Sequence, residues 1–259
     1  MSSGEPHDGG PGRDRPGPPP GPAPDRAALW LLRSPSPEPG HGPGDGEAAA
    51  RRLLDAAERH RADRFVRPAD RQLYTAAHAT LRRLLGRHTG TPPGEVRLTR
   101  EPCARCGGPH GRPVLAAPRP GPPLYFSLSH GAGHALIGLA RVPIGVDIDR
   151  LPGEATVEYG APALHPDERR ELAAARAGGT HLPLFARIWT RKEAYLKGLG
   201  TGLCRPAHAD YLGDEPLRHP PGWTVTAFTP PGAEDRLTAA VALRAPAPAV
   251  TVHRLPRPW

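Results

Sequence analysis

Trp189-Thr190-Arg191-Lys192-Glu193-Ala194-Tyr195-Leu196-Lys197 is the stretch on which the reading of this chain turns. Of the 34 lysines and arginines in its 259 residues, only Lys192 and Lys197 are lysine, and both lie here. Excess alanine, arginine, glycine and proline, with scarce lysine and methionine, points to a genome rich in G and C. A lysine that persists against that bias marks a position where arginine does not serve. Arginine offers a wide planar fork of fixed charge, whereas lysine offers a compact ammonium that fits beside a phosphate and whose pKa can be moved. A phosphate-handling or proton-transferring site is therefore expected.

The stretch lies within a helix predicted from Leu184 to Leu199. Leu184, Phe185, Ile188, Trp189, Tyr195, Leu196 and Leu199 fall on one apolar arc, and Trp189, Glu193 and Lys197 form an i, i+4, i+8 row along its rim. A row at the rim of a buried face can project into a cleft; on an exposed face Glu193 and Lys197 would be an ordinary i,i+4 ion pair. Lys192 falls inside the arc and needs a partner or an opening.

Upstream, Ile144-Gly145-Val146-Asp147-Ile148-Asp149 alternates as a strand, with residues 144, 146 and 148 facing a core and both aspartates on the other side. Two carboxylates ~6–7 Å apart on one face can reach a single hard cation. The alternative is a strand end whose polar face meets water.

Further strands are predicted at 27–32, 96–98, 125–129, 135–140, 223–228, 237–243 and 250–252, and the glycine-containing links make 125–129, 135–140 and 144–149 antiparallel neighbours. Helices are predicted from Glu47 to about Arg64, from Gln72 to Leu85 after an interruption at Pro68-Ala69-Asp70, and from His165-Pro166 onward. Residues 1–24 are Gly, Pro and charged residues that cannot bury enough apolar surface to order, so a disordered tail is expected. The fold class is α+β, in two halves covering 25–140 and 141–259, without a strong internal sequence repeat.

With 37% hydrophobic residues the chain can bury a core, and its net charge of +8 invites a nucleic-acid partner. Aromatics at 5% supply little stacking and the arginines are spread over several helices, so an anionic small substrate or an acidic protein partner fits as well. No charged leader with an apolar core and no apolar run of about 20 residues is present, which points to the cytoplasm without membrane association. Three cysteines make no disulfide framework and agree with a reducing compartment. Cys103-Ala104-Arg105-Cys106 followed by His110 looks like half of a zinc site. A structural zinc needs four ligands, and Cys204 lies far along the chain, so the segment is read as a loop.

His110-Gly111-Arg112-Pro113-Val114-Leu115, Phe126-Ser127-Leu128-Ser129-His130, Asp147 and Trp189–Lys197 occur in the order and spacing of one family. The chain resembles the Sfp-type 4′-phosphopantetheinyl transferases over about residues 27–245. These enzymes move the phosphopantetheine arm of coenzyme A onto a serine of an apo acyl or peptidyl carrier protein. The resemblance implies two similar α/β halves related by pseudo-two-fold symmetry, a magnesium ion, coenzyme A as co-substrate, a monomer and no nucleic acid. By position, Asp147 and Glu193 match magnesium ligands, and Lys197 matches a lysine on coenzyme A phosphate. Asp149 stands where glutamate is common, so it ligates directly or through water. Arg61 and Arg64 resemble the residues that hold the nucleotide 3′-phosphate. Gly111, Arg112, Pro113, Ser129 and His130 resemble the other coenzyme A segments, with arginine at 112 where lysine is usual, and the cysteine loop would lie beside that pocket. Glu193 is the first choice for the base that takes the serine proton, with Asp149 second. The competing reading is a basic nucleic-acid-binding or scaffolding module without activity.

Overall fold

Alternation along Arg26–Arg33 (β1) sends Ala27, Leu29 and Leu31 to one face and Trp30 and Leu32 to the other, and the architecture follows from covering both. The structure is a computed structural model that describes residues 26–34, 45–116, 122–233 and 236–255. The tail expected over 1–24 lies outside the described residues.

In the first sheet β1 lies between β5 (His134–Ala140), to which it is antiparallel, and β9 (Ala249–Arg254), to which it is parallel; β4 (Tyr125–Gly131) pairs antiparallel with the far edge of β5. The second sheet is antiparallel in the order β6 (Ile144–Arg150), β8 (Leu237–Leu243), β7 (Thr224–Phe228). Helix α3 (Pro68–Thr89) lays Leu73, Ala77, Leu81 and Leu85 on one face of the first sheet. The other face meets the second sheet through Leu29, Leu31 and Leu136 against Ile144, Val146 and Ile148. Helix α6 (His181–Leu199) covers the far side of the second sheet, with Ala194 and Tyr195 on Val225, Ala240 and Ala242. The result is an α/β/β/α stack, a mixed α+β fold.

Several expectations shift for local reasons. The helix expected over 47–64 is two helices, α1 (Asp45–Leu53) and α2 (Ala56–Asp63). Asp55 accepts a hydrogen bond from the Glu58 N–H at 2.8 Å while Glu58 accepts one from the Asp55 N–H at 2.9 Å, a capping box that restarts the helix. Pro68 begins α3 instead of interrupting it, because a first-turn proline forfeits no helical hydrogen bond. The helix also runs through Gly86, which has room only for hydrogen: a Cβ there would lie 2.5 Å from the Thr91 carbonyl oxygen. β6 is not the sheet neighbour of β5 as the glycine-bearing link suggested; it turns over to pair with β8 and stacks on β5 at Gly138, where a Cβ would meet Val146 at 2.7 Å. A short pair, β2 (Leu98–Arg100) with β3 (Pro113–Leu115), and two further helices, α4 (Glu154–Gly160) and α5 (Pro166–Arg176), complete the elements used below. The last strand crosses the boundary expected near residue 140 and completes the first sheet.

Lys192 finds its partner in this frame. The side chain is 2% exposed, and its ammonium donates to Glu168 at 2.8 Å and to the carbonyls of Ala207 at 2.8 Å and Asp210 at 2.7 Å. Three donors meet three acceptors, so nothing is left for a substrate, and the phosphate role suspected for this lysine does not apply. Burial pulls its pKa below the ordinary lysine value and the Glu168 charge opposes that pull. Removing one partner of such a pair strands the other, so Lys192→Met is expected to cost about 3–5 kcal/mol in a urea-denaturation measurement. A change within the ~0.5 kcal/mol typical of surface substitutions would contradict the role assigned to the pair.

Candidate active site

Two glycines set the site. A Cβ on Gly145 would lie 1.8 Å from the Ala194 carbonyl oxygen, and one on Gly198 would lie 2.7 Å from the Trp223 ring and 3.2 Å from the Gly145 nitrogen. Their absence lets α6 press directly onto β6. Because strand side chains alternate, Asp147 leaves β6 on the same side as Gly145 and meets the Glu193–Lys197 edge of the helix.

The Lys197 ammonium lies 2.6 Å from Asp147 Oδ1 and 3.0 Å from Ser129 Oγ, and Ser129 donates to the same Asp147 oxygen at 2.7 Å. Two of the three ammonium donors are thus used, with no third acceptor among the described residues. Asp147 is buried and Lys197 about one-third exposed, so the pair sits at the boundary between protein and cleft. Glu193 forms no hydrogen bond or ion pair among the described residues. Desolvation raises its pKa, the Lys197 charge opposes the rise and the Asp147 charge adds to it. Two neighbouring carboxylates, one lacking a partner, form a site of excess negative charge that a hard divalent cation would satisfy.

A cleft of about 570 Å³ opens beside this group, with Lys197, Arg61, Gly111, Arg112, Pro113 and His130 among its lining residues. Gly111 admits the close passage of the chain, since a Cβ there would lie 2.2 Å from the Glu101 carbonyl oxygen. Arg112 donates to Glu101 at 2.7 Å and to the Gly198 carbonyl at 3.1 Å, and its guanidinium lies 5.0 Å from the Tyr125 ring centre. It therefore ties β3 to the end of α6 while facing the cleft. His130 keeps an exposed face, yet partial desolvation lowers its pKa, the charges of His78, Lys197 and Arg61 lower it further, and a backbone hydrogen bond opposes them. It thus enters the cleft as a neutral donor or acceptor at neutral pH.

The other sequence-derived residues are placed differently. Ser129 is buried in the Asp147–Lys197 network and is not among the residues lining the cleft. Arg64 caps the C-terminus of α2, exposed, and does not line the cleft. Asp149 is exposed, accepts a hydrogen bond from the Arg150 N–H at 2.7 Å, and lines a separate cavity of about 260 Å³ with Tyr159, Phe185 and Trp189. Cys103, Cys106, His110 and Cys204 converge, although sequence separation had argued against it: their ligating atoms lie within 4.8 Å of one another. All three thiols are free.

Sequence reading missed the buried floor of the cleft. Arg82, 1% exposed, donates to Glu58 at 2.7 Å, Asp55 at 2.7 Å and the Val96 carbonyl at 2.8 Å. His78 bonds Glu58 at 2.9 Å. Burial alone would raise the Glu58 pKa; the His78 bond and charge, the Asp55 N–H and Arg82 overcome it and hold the carboxyl at about 2. This contribution to stability is in place above the ordinary carboxylate value and is lost as pH falls toward about 2. The network fixes α2 against α3 and so positions Arg61. The readable signal was Asp55-x-x-Glu58, a capping-box pattern inside a stretch taken as one helix.

Residues 143–221, which contain Asp147, Asp149, Glu193 and Lys197, match the 4′-phosphopantetheinyl transferase superfamily. Over 195 residues the chain is 31% identical to the 4′-phosphopantetheinyl transferase HetI of Nostoc sp., across 73% of this chain and 78% of that protein. It is 32% identical over 162 residues to a phosphopantetheinyl transferase of Thraustochytrium sp., across 58% of this chain and 54% of the relative. It is 27% identical over 161 residues to the human L-aminoadipate-semialdehyde dehydrogenase-phosphopantetheinyl transferase, across 59% of this chain and 50% of the relative. These last two alignments span about half of each relative.

Proposed function

The chain belongs to the 4′-phosphopantetheinyl transferase family, and from that premise we propose that it transfers the phosphopantetheine arm of coenzyme A to a serine of an apo acyl or peptidyl carrier protein, in the Sfp-type manner. The observation that carries this is the Lys197–Asp147–Ser129 network at the edge of a cleft lined by Arg61, Arg112 and His130, with the partnerless Glu193 beside it.

In the reaction the carrier serine oxygen forms a bond to the β-phosphorus of coenzyme A while the bond from that phosphorus to the bridging oxygen of the pyrophosphate breaks. Adenosine 3′,5′-bisphosphate leaves with the bond's electron pair. Glu193 takes the serine proton, its carboxylate being held by no hydrogen bond or ion pair among the described residues and lying beside Lys197 and Asp147. Lys197 keeps its third donor for a phosphate oxygen while Asp147 and Ser129 hold the ammonium in place. Arg61, Arg112 and the Gly111–Pro113 backbone receive the nucleotide end, and His130 contacts a phosphate oxygen through a ring N–H. Asp147 and Glu193 would hold magnesium, which takes one or two carboxylates and otherwise prefers water and substrate phosphates, and which would supply neutralisation of charge on the pyrophosphate. Asp149, exposed and already bonded to the Arg150 N–H, acts through water. The stacking of α3 on the first sheet and α6 on the second supports the two-halved, pseudo-symmetric arrangement of the family.

The test is incubation with coenzyme A, magnesium and a panel of apo carriers, read by intact mass. Gain of the phosphopantetheine mass on a carrier serine is expected; no gain on any carrier would sink the reading. A thermal melt separates the nucleic-acid alternative, because coenzyme A with magnesium should raise the melting temperature by mass action and an oligonucleotide should not. Asp149→Ala is expected to lose ~10–100-fold in transfer, as outer ligand-orienting groups do, with partial recovery at higher magnesium. Complete loss at every magnesium concentration would make Asp149 a direct ligand or the base.

A further inference from the structure

We propose that Cys103, Cys106, His110 and Cys204 bind a structural zinc ion that staples one wall of the cleft. Among the described residues this is the one group of histidine, cysteine or acidic side chains whose ligating atoms all lie within 4.8 Å of one another. Three thiolates and an imidazole are a common structural zinc set, and bonds of ~2.0–2.3 Å in a tetrahedron place ligand atoms roughly 3.3–3.8 Å apart. Cys106 Sγ and His110 Nε2 are 3.0 Å apart, so modest side-chain rotations bring all four onto one ion.

The backbone around the group is shaped for it. The Cys103-x-x-Cys106 turn closes on itself, with the Gly107 N–H donating to the Cys103 carbonyl and the Cys103 N–H to the Gly108 carbonyl, both at 2.8 Å. Gly107 has φ +71°, a conformation that side chains rarely adopt. At Gly108 a Cβ would lie 3.1–3.3 Å from the His110 ring and the Cys106 sulfur, so glycine leaves the space in which these two meet. From the other direction, Gly200 with φ +77° ends α6 and Gly202 with φ +51° opens the short turn that presents Cys204. Two glycine-built turns, remote in sequence, converge on one point.

Zinc suits the position better than a catalytic metal. Four protein ligands leave no open coordination site, and the group sits behind the wall: His110, Gly200 and Gly202 line the cleft, whereas no cysteine does. Binding would release the thiol protons to solvent and tie the segment before Gly111–Pro113 to the loop after α6. The metal count is independent of whether the cleft takes coenzyme A.

The experiment is elemental analysis of the full chain purified under reducing conditions from zinc-supplemented cells, beside Cys204→Ala and His110→Ala. A single zinc per chain is expected in the wild type, with loss of metal in Cys204→Ala and a lowered melting temperature. Cobalt replacement in the wild type should give the visible absorption of tetrahedral thiolate coordination, a readout that does not depend on a variant folding. Wild-type protein that carries no zinc and takes up none when its thiols are reduced would overturn the proposal. So would zinc retained in Cys204→Ala, iron in its place, or a Cys106–Cys204 disulfide in protein kept under reductant.

Discussion

Glu193→Gln is expected to lower transfer by at least ~10³-fold while the protein stays folded, the loss typical when a positioned base is removed and a metal ligand weakened with it. The amide keeps the size of the carboxylate and removes its charge, so the packing of α6 on β6 is untouched. Stability tells a catalytic loss from a folding defect. In the absence of metal the wild-type carboxyl has a raised pKa, chiefly from burial, so its ionised form costs folding energy above that raised value and costs nothing below the ordinary carboxylate range. The variant should therefore be at least as stable as wild type at neutral pH, with the difference fading as pH falls. The acid limb of the wild-type rate profile should disappear from whatever residual rate the variant shows. Near wild-type turnover at saturating magnesium would remove both roles from Glu193.

The parts of this site that were legible are those written at short range. Residues 144, 146 and 148 do face the core, and of the rim row of α6 Lys197 lines the cleft and Trp189 the separate cavity beside Asp149, because periodicities of two and 3.6 are local properties of the chain. What local pattern could not supply was the partner. Lys192 and Lys197 share one stretch, one composition argument and one suspected role. Only the fold shows that Glu168 and two carbonyls consume the first, while Asp147 and Ser129 leave the second a free donor. The parallel pairing of β9 with β1 and the arrival of Cys204 beside Cys103 are closures between remote segments, and no window of sequence contains both ends. The break at Asp55 was different, since its signal was present and local but lay within an otherwise helical run.

Lys197→Arg is expected to reduce transfer by ~10²-fold although the charge is kept, the scale of loss when a reacting group is displaced by about 1 Å. The scarcity of lysine is what first marked the position, and the geometry now gives it a cause. Both lysines direct a compact ammonium to acceptors that surround one point: at Lys192 the Glu168 carboxylate and two carbonyls, at Lys197 Asp147 Oδ1 at 2.6 Å and Ser129 Oγ at 3.0 Å. A planar guanidinium spreads its donors over a wider front and cannot converge on a single oxygen while a third donor points elsewhere. At Lys197 it would pull away from Asp147 or push into the space proposed for a coenzyme A phosphate. The measurement is kcat and KM for coenzyme A together with the melting temperature. Lys197 is one-third exposed, so the larger head can fold outward and the melting temperature should hold, with the loss falling mainly on kcat. Wild-type kinetics in Lys197→Arg would show that charge alone is required there, and that lysine persists at this position for a reason other than its shape.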